Sequence, residues 1–327
     1  MRTGAALAAV AGTCGVALAA LAAEPQISPA MSAEIEQHRA AAKDAVGTDF
    51  NGTLSSICIA TDSVRGPPPR TLPPRSEWYA KPYKVFDNLY FVGTQVHSSW
   101  ALTTSQGIIL IDTLFDYAVE PEIVDGLKTL GLDPKTIKYV ILSHGHGDHD
   151  EGARLLQDRY AARVVLGAPD WDLEARTLNK PGGIPKKDIS AVDGQKVTLG
   201  DTTVTLVTTP GHTPGTLSMI FQVKDKGQPL TVAYSGGTAF NFPHTKPNFD
   251  TYIASQRKFA KAAADAGATI LMSNHTQFDG AYDKARIAQV PRAAGEPHPY
   301  VVGARLVGSY FKMMEECALA AKVTATP

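Results

Sequence analysis

Ser143-His144-Gly145-His146-Gly147-Asp148-His149 places three imidazoles and a carboxylate within six consecutive residues. Imidazole nitrogen and carboxylate oxygen together form the donor set that suits zinc. His144 and His146, two apart in an extended turn, can converge on one ion. Asp148 and His149 are displaced along the chain and can serve a second ion about 3.5–4 Å away. The bland alternative is a polar loop that happens to be rich in histidine. With nine histidines in 327 residues, three in six positions beside an aspartate is a poor chance event. Two further histidines stand in comparable places. His212 lies in Thr208-Thr209-Pro210-Gly211-His212-Thr213-Pro214-Gly215, where glycine and proline on both sides fix a tight loop. His275 lies in Ser273-Asn274-His275-Thr276. Either alone reads as an exposed loop histidine; with the first cluster they make up a two-metal set.

Positioning these side chains requires strands that end where the loops begin. Tyr139-Val140-Ile141-Leu142 is an apolar run preceding the first cluster and predicts a buried strand. Glu151 to Tyr160 predicts the helix that follows it. His212 comes after a predicted strand at 202–208, and His275 after another at 269–272. Further strands are expected within 84–93, 98–103, 108–111, 163–166, 196–199, 217–223 and 230–234. Helices are expected at 32–46, 119–130, 169–178, 249–266 and 301–323. Strands and helices thus come in two similar series. The expected fold is α/β, an αββα sandwich of two mixed β-sheets with outer helices. Ligand loops at strand ends match where α/β proteins place their sites.

The His-x-His-x-Asp-His loop, the Thr-Pro-Gly-His-Thr-Pro-Gly loop and the later His275 resemble the metallo-β-lactamase superfamily over roughly residues 83–280. Within that superfamily, Asp87-Asn88-Leu89-Tyr90-Phe91-Val92-Gly93, Val192-Asp193-Gly194 and Asn274-His275-Thr276-Gln277-Phe278-Asp279 look like the subclass B3 enzymes. The resemblance implies two Zn(2+) ions per chain. The first would sit on His144, His146 and His212, the second on Asp148, His149 and His275, with a hydroxide between them as nucleophile. It makes Asp148 both a ligand and the catalytic residue that orients that hydroxide. It also implies that Asp112 orients a ligating histidine from behind, and that Gly145 and Gly147 leave room for substrate. Many hydrolases of this superfamily bridge the metals with an aspartate after the strand at 230–234. Here that place reads Ser235-Gly236-Gly237-Thr238, with no carboxylate, which favours a lactamase-type site and puts Thr238 on its flank. The serine pair of the B3 enzymes has no obvious counterpart; Thr276 is one stand-in. The stretch from Thr177 to Lys187 matches no β-lactam-binding loop. His97, beside Ser98, Ser99 and Trp100, reads as a surface residue, the alternative being a loop that flanks the cleft; His244 is expected exposed or behind the site. Trp100, Tyr90 and Trp171 are expected in the core.

The rest of the chain bounds these expectations. A 44% hydrophobic and 19% charged composition supplies a sizeable core. A formal net charge of −1 gives no basic field for nucleic acid or an anionic membrane, so a small-molecule substrate is the expected partner. Arg2, the uncharged run from Ala5 to Leu21 and the small residues before Glu24 predict a signal peptide over 1–23. A membrane anchor is the other reading, less suited to so Ala-rich a run. Cleavage would leave a periplasmic or secreted protein with no membrane attachment. Residues 24–82 form an expected N-terminal arm, with a Pro-rich strap through 66–74, ahead of the domain at 83–323. Cys58 and Cys317 read either as one disulfide or as two buried thiols. The expected function is zinc-dependent hydrolysis of a cyclic amide, a β-lactamase of the B3 type. The alternative is a same-fold hydrolase of a lactone, ester or other amide, and the remotest reading a non-catalytic metal-binding protein.

Overall fold

The computed structural model describes residues 27–59 and 72–327. The predicted signal peptide and most of the Pro-rich strap lie outside them. Twelve strands form two mixed sheets. The first runs in sequence order: β1 (Tyr83–Lys84), β2 (Leu89–Phe91), β3 (Trp100–Thr104), β4 (Gly107–Ile111), β5 (Ile137–Ile141), β6 (Arg163–Gly167) and β7 (Ile189–Ala191). It is antiparallel through β4 and parallel from β4 to β7. The second has the order β12 (Ile270–Ser273), β11 (Gln228–Ser235), β10 (Leu217–Asp225), β9 (Thr202–Thr208), β8 (Lys196–Leu199). Only its β11–β12 pair is parallel.

The alternation along each strand explains the layering. Leu89, Phe91, Trp100, Leu102, Ile109 and Ile111 face Val204, Leu206, Leu217, Met219, Phe221 and Tyr234 in one apolar layer between the sheets. The opposite faces of both sheets are also buried. Ile108, Leu110, Val140 and Val164 pack under the helices of the first sheet, with Leu127, Leu156 and Trp171. Val207, Ala233 and Leu271 pack under helices Lys246–Asp265 and Ala304–Lys322. Two sheets with helices on both outer faces are the expected αββα sandwich. Burying each large aliphatic or aromatic side chain here is worth about 1.5–3 kcal/mol. Trp100 and Trp171 are core residues as expected, whereas Tyr90 is only half-buried.

Several boundaries differ from expectation for local reasons. The first helix is Pro29–Val46, starting three residues before Ser32, because Ser28 caps it and Pro29 occupies its first turn. The segment after the histidine loop is broken into Gly147–Asp150 and Ala153–Tyr160. The first helix packs on Ala304–Lys322, and a Cys58–Cys317 disulfide joins the following turn, Leu54–Ile59, to that same C-terminal helix, resolving the cysteine alternatives. Among the described residues no helix is long and apolar enough to cross a membrane.

Candidate metal centre

The loops that carry the six expected ligands meet at one edge of the sandwich. β5 delivers His144 and His146, the turn Gly147–Asp150 delivers Asp148 and His149, the β9–β10 loop delivers His212, and β12 delivers His275. The two sheets are stitched together here, since Leu217 N–H donates to the Ser143 carbonyl at 2.8 Å. Gly211 has φ +147°, and a Cβ there would come within 2.8 Å of Tyr252; glycine lets the His212 loop turn against that ring. Gly237 has no left-handed backbone, yet a Cβ would stand 2.6 Å from His212 Cβ. Its missing side chain is what admits His212.

The six residues expected as ligands converge. His212 Nε2 lies 3.0 Å from His144 Nε2 and 3.1 Å from His146 Nδ1. Asp148 Oδ2 lies 3.1 Å from His149 Nε2 and 3.3 Å from His275 Nε2, which are themselves 3.2 Å apart. His144, His146 and His212 form one group with donor atoms within 4.8 Å of one another; His144, Asp148 and His149 form another. A third group, His97, Asp148 and His275, was not foreseen. His97 is half-buried beside Asp148, not at the surface. Ser98 N–H donates to the Asn274 carbonyl, and this pairing swings the 94–98 loop onto the His275 loop. His97 and His275, 178 positions apart, come together although no local pattern could relate them.

Hydrogen bonding behind the rings sets what the front can bind. His144 Nδ1 faces the Gly236 carbonyl at 2.9 Å, and His212 Nδ1 faces the Ala239 carbonyl at 2.6 Å. A carbonyl only accepts, so each Nδ1 carries the proton and each Nε2 presents a lone pair. Two lone pairs 3.0 Å apart need a shared cation between them. Burial, together with neighbouring histidines, holds His144 well below the usual imidazole range and brings His212 down to about 3. Both are therefore neutral donors, the form a metal takes. His149 differs. Burial opposes its charge, but the Asp148 and Asp112 carboxylates outweigh that and push it up to about 10. Burial also opposes the charge on Asp148, while His149, His275 and His97 hold its carboxyl well below the usual range. A divalent cation would take over the positive charge that His149 supplies beside Asp148. This donor set fits zinc.

Asp112 follows β4 and stands behind His149. Its carboxylate lies 3.1 Å from His149 Nδ1 and accepts from Ser143 N–H at 2.7 Å, Ser143 Oγ at 2.9 Å and Tyr234 Oη at 3.1 Å. Its φ of 61° is left-handed, an uncommon conformation for a non-glycine that these bonds hold in place. Thr238 is buried, its hydroxyl shared with Ser273 and Tyr310 at 3.2 Å. Thr276 is also turned inward: its hydroxyl donates to the Gln95 carbonyl at 2.5 Å, bracing the His97 loop. His244 is half-buried, bonded to the Phe240 carbonyl and set against the Phe249 ring.

Gly145 and Gly147 serve another purpose than space for substrate. A Cβ at Gly145 would lie 3.3 Å from Glu174 Oε1, and one at Gly147 2.5 Å from Glu151 Oε1. These glycines face an acidic layer beneath the loop. In it Asp170 accepts from Gly145 N–H at 2.8 Å, Gly215 N–H at 2.7 Å and Thr213 Oγ1 at 2.7 Å, tying both histidine loops to one carboxylate. Lys180 Nζ bridges the buried Asp150 and Glu174 carboxylates at 2.5 Å each. Asp170 and Lys180 went unrecognised because neither stands in a motif. A buried aspartate in the first turn of helix Ala168–Arg176 was the only available signal for the former.

The metallo-beta-lactamase superfamily model matches residues 92–275, more than half of the chain. The chain belongs to the metallo-β-lactamase superfamily. Among solved structures it resembles a subclass B3 metallo-beta-lactamase of Bradyrhizobium japonicum, at 27% identity over 71% of this chain and 91% of that one, with a TM-score of 0.61. Among characterised sequences it is similar to a hydroxyacylglutathione hydrolase of Rhodopseudomonas palustris, 26% identical over 62% of this chain and 79% of the relative. An N-acyl homoserine lactonase of a Bacillus species is 29% identical over 41% of this chain and 54% of its own length. A metal-binding hydrolase fold is common ground for this metallo-β-lactamase superfamily member and these relatives; their substrates differ.

Proposed function

We propose that this protein is an exported di-zinc hydrolase that opens a cyclic amide, a β-lactamase of the B3 type. The observation that carries this reading is the donor set. Asp148 is the only carboxylate in the three ligand groups, and the place after β11 where many relatives of the fold carry a bridging aspartate holds Ser235-Gly236-Gly237-Thr238. The likeness to a solved B3 enzyme supports the same substrate class. In this reading His144, His146 and His212 hold the first ion, and Asp148, His149 and His275 the second.

Zinc bound there would supply a water of near-neutral pKa and a Lewis acid for the scissile carbonyl. The chain's own residues do the rest. Asp148, half-buried at the open rim, would hold the second ion through one carboxylate oxygen, leaving the other to orient the attacking water. Asp112 holds the His149 ring through Nδ1, and the Gly236 and Ala239 carbonyls hold His144 and His212. His146, Asp148 and His275 reach solvent while His144 and His149 are fully buried, so substrate enters over the former. Phe115, edge-on to His97 and stacked on Tyr117, gives that entrance an apolar wall.

The similarity to a hydroxyacylglutathione hydrolase and a lactonase favours a second reading, the same site acting on a thioester or lactone. The deciding test is turnover of a chromogenic cephalosporin and a carbapenem, beside an acyl homoserine lactone and an S-acylglutathione. Each is run with zinc, with chelator and with His146→Ala. Zinc-dependent β-lactam turnover on the order of 10 per second supports the first reading. Turnover confined to the lactone or thioester replaces it with the second. Export is tested by the N-terminus of the protein recovered from a bacterial periplasm, expected near Glu24.

A further inference from the structure

We propose that His97 is a ligand of the second metal, so that this site offers three imidazoles and a carboxylate to a divalent cation such as zinc. This rests on the di-metal reading above and extends it. His97 Nε2 lies 3.5 Å from Asp148 Oδ2, the atom around which His149 Nε2 at 3.1 Å and His275 Nε2 at 3.3 Å are also gathered. A separation of 3.5 Å is long for an N–H···O hydrogen bond, which spans about 2.7–3.2 Å. It is the separation expected of two ligands of one ion: bonds of about 2.0–2.1 Å at a tetrahedral angle put donor atoms roughly 3.3–3.4 Å apart. The donor atoms of His97, Asp148 and His275 all lie within 4.8 Å of one another.

The backbone around His97 is built to keep it there. His97 and His275 face each other across an isolated antiparallel bridge. Ser98 N–H donates to the Asn274 carbonyl and Thr276 N–H to the Val96 carbonyl, both at 2.9 Å. Thr94 closes the loop on itself, its Oγ1 accepting from His97 N–H at 2.8 Å while its own N–H donates to the His97 carbonyl at 2.8 Å. The ring stands edge-on to Phe115 and to His275, with centroids 5.2 and 5.0 Å away. Such bracing positions a donor without further ordering when an ion arrives. A fourth protein ligand would fill a coordination position that a catalytic zinc otherwise leaves to water. The second ion would then be held more tightly, and the attacking water would belong chiefly to the first.

The test is titration of the metal-free chain with zinc against a chromophoric chelator, with X-ray absorption of the zinc-loaded protein to count imidazoles. Wild type, His97→Ala and His97→Gln are compared, with His275→Ala as the benchmark for a lost ligand. The expected result is two ions in wild type, a second-site Kd weakened at least about tenfold in both His97 variants, and one imidazole fewer per chain. Two ions bound by wild type, with unchanged Kd and imidazole count in both variants, would overturn the role of His97 alone. A single ion in wild type would overturn the di-metal reading along with it. Near-native circular dichroism in either His97 variant keeps the comparison valid.

Discussion

Lys180→Met removes the only cation between two buried carboxylates. Lys180 Nζ lies 2.5 Å from both Asp150 Oδ2 and Glu174 Oε1, and the three side chains are 4%, 0% and 1% exposed. The outer oxygens, Asp150 Oδ1 and Glu174 Oε2, have no hydrogen-bond partner among the described residues, and burial together with the neighbouring Glu174 holds Asp150 well above the usual carboxyl range even beside Lys180. Breaking a buried pair by removing one partner destabilises by about 3–5 kcal/mol. With a urea m-value of roughly 3 kcal/mol/M for a chain this long, the unfolding midpoint should fall by about 1–1.7 M. The strain lands on the site as well, because Glu174 lies directly beneath Gly145 and Asp150 follows His149. Zinc affinity should therefore weaken with stability. Adding Glu174→Gln to Lys180→Met removes one unpaired charge and supplies an amide donor for Asp150; it should recover at least half of the loss. The assay is equilibrium urea unfolding of the wild type, the single variant and the double variant at fixed zinc. A midpoint shift under about 0.3 M for Lys180→Met would refute the argument, as would a double variant no more stable than the single one.

Burial raises Glu122 to about 8, against an ordinary 4.5, with Ala80 N–H donating to it at 2.8 Å. The folded protein therefore keeps a proton that the unfolded chain has lost, and this group's contribution is fullest below pH 4.5 and falls as pH rises to 8. Glu122→Gln should flatten that decline by roughly 3–5 kcal/mol between the two limits, read as the difference between the two proteins' unfolding free energies against pH. Asp112→Asn removes the charge behind His149 and should weaken zinc binding about 10–100-fold in chelator competition; undiminished affinity would remove Asp112 from the site's support. The Cys58–Cys317 bond closes a loop of 259 residues, so Cys58→Ser with Cys317→Ser should destabilise by about 3–5 kcal/mol. Equal unfolding midpoints with and without the bond would contradict this. A reducing agent should reproduce the loss in wild type and leave the double variant unchanged.

The ligand set was legible because its members sit in loops and turns that directly follow strands. A strand's exit fixes where the next side chains point, so His144, His146, Asp148, His149, His212 and His275 declared themselves through local pattern. The two-sheet architecture followed from the same periodicity, since alternation within β9 and β10 and apolar runs in β4 and β5 are properties of short windows. Other features depend on long-range pairing that no window contains. His97 reached the site because the 94–98 loop pairs with the His275 loop across the sheets' edge. Asp170 and Lys180 support the histidine loops from sequence-distant segments, and only packing brings them beneath Gly145. The glycines mark the limit most clearly. In the sequence Gly145 and Gly147 look like openings above the metals, whereas the tertiary structure fills the space beside them with carboxylates. Residue type and spacing determine which donors exist and roughly where they emerge. Which groups stand behind them, and with what charge, is settled by the burial that folding imposes.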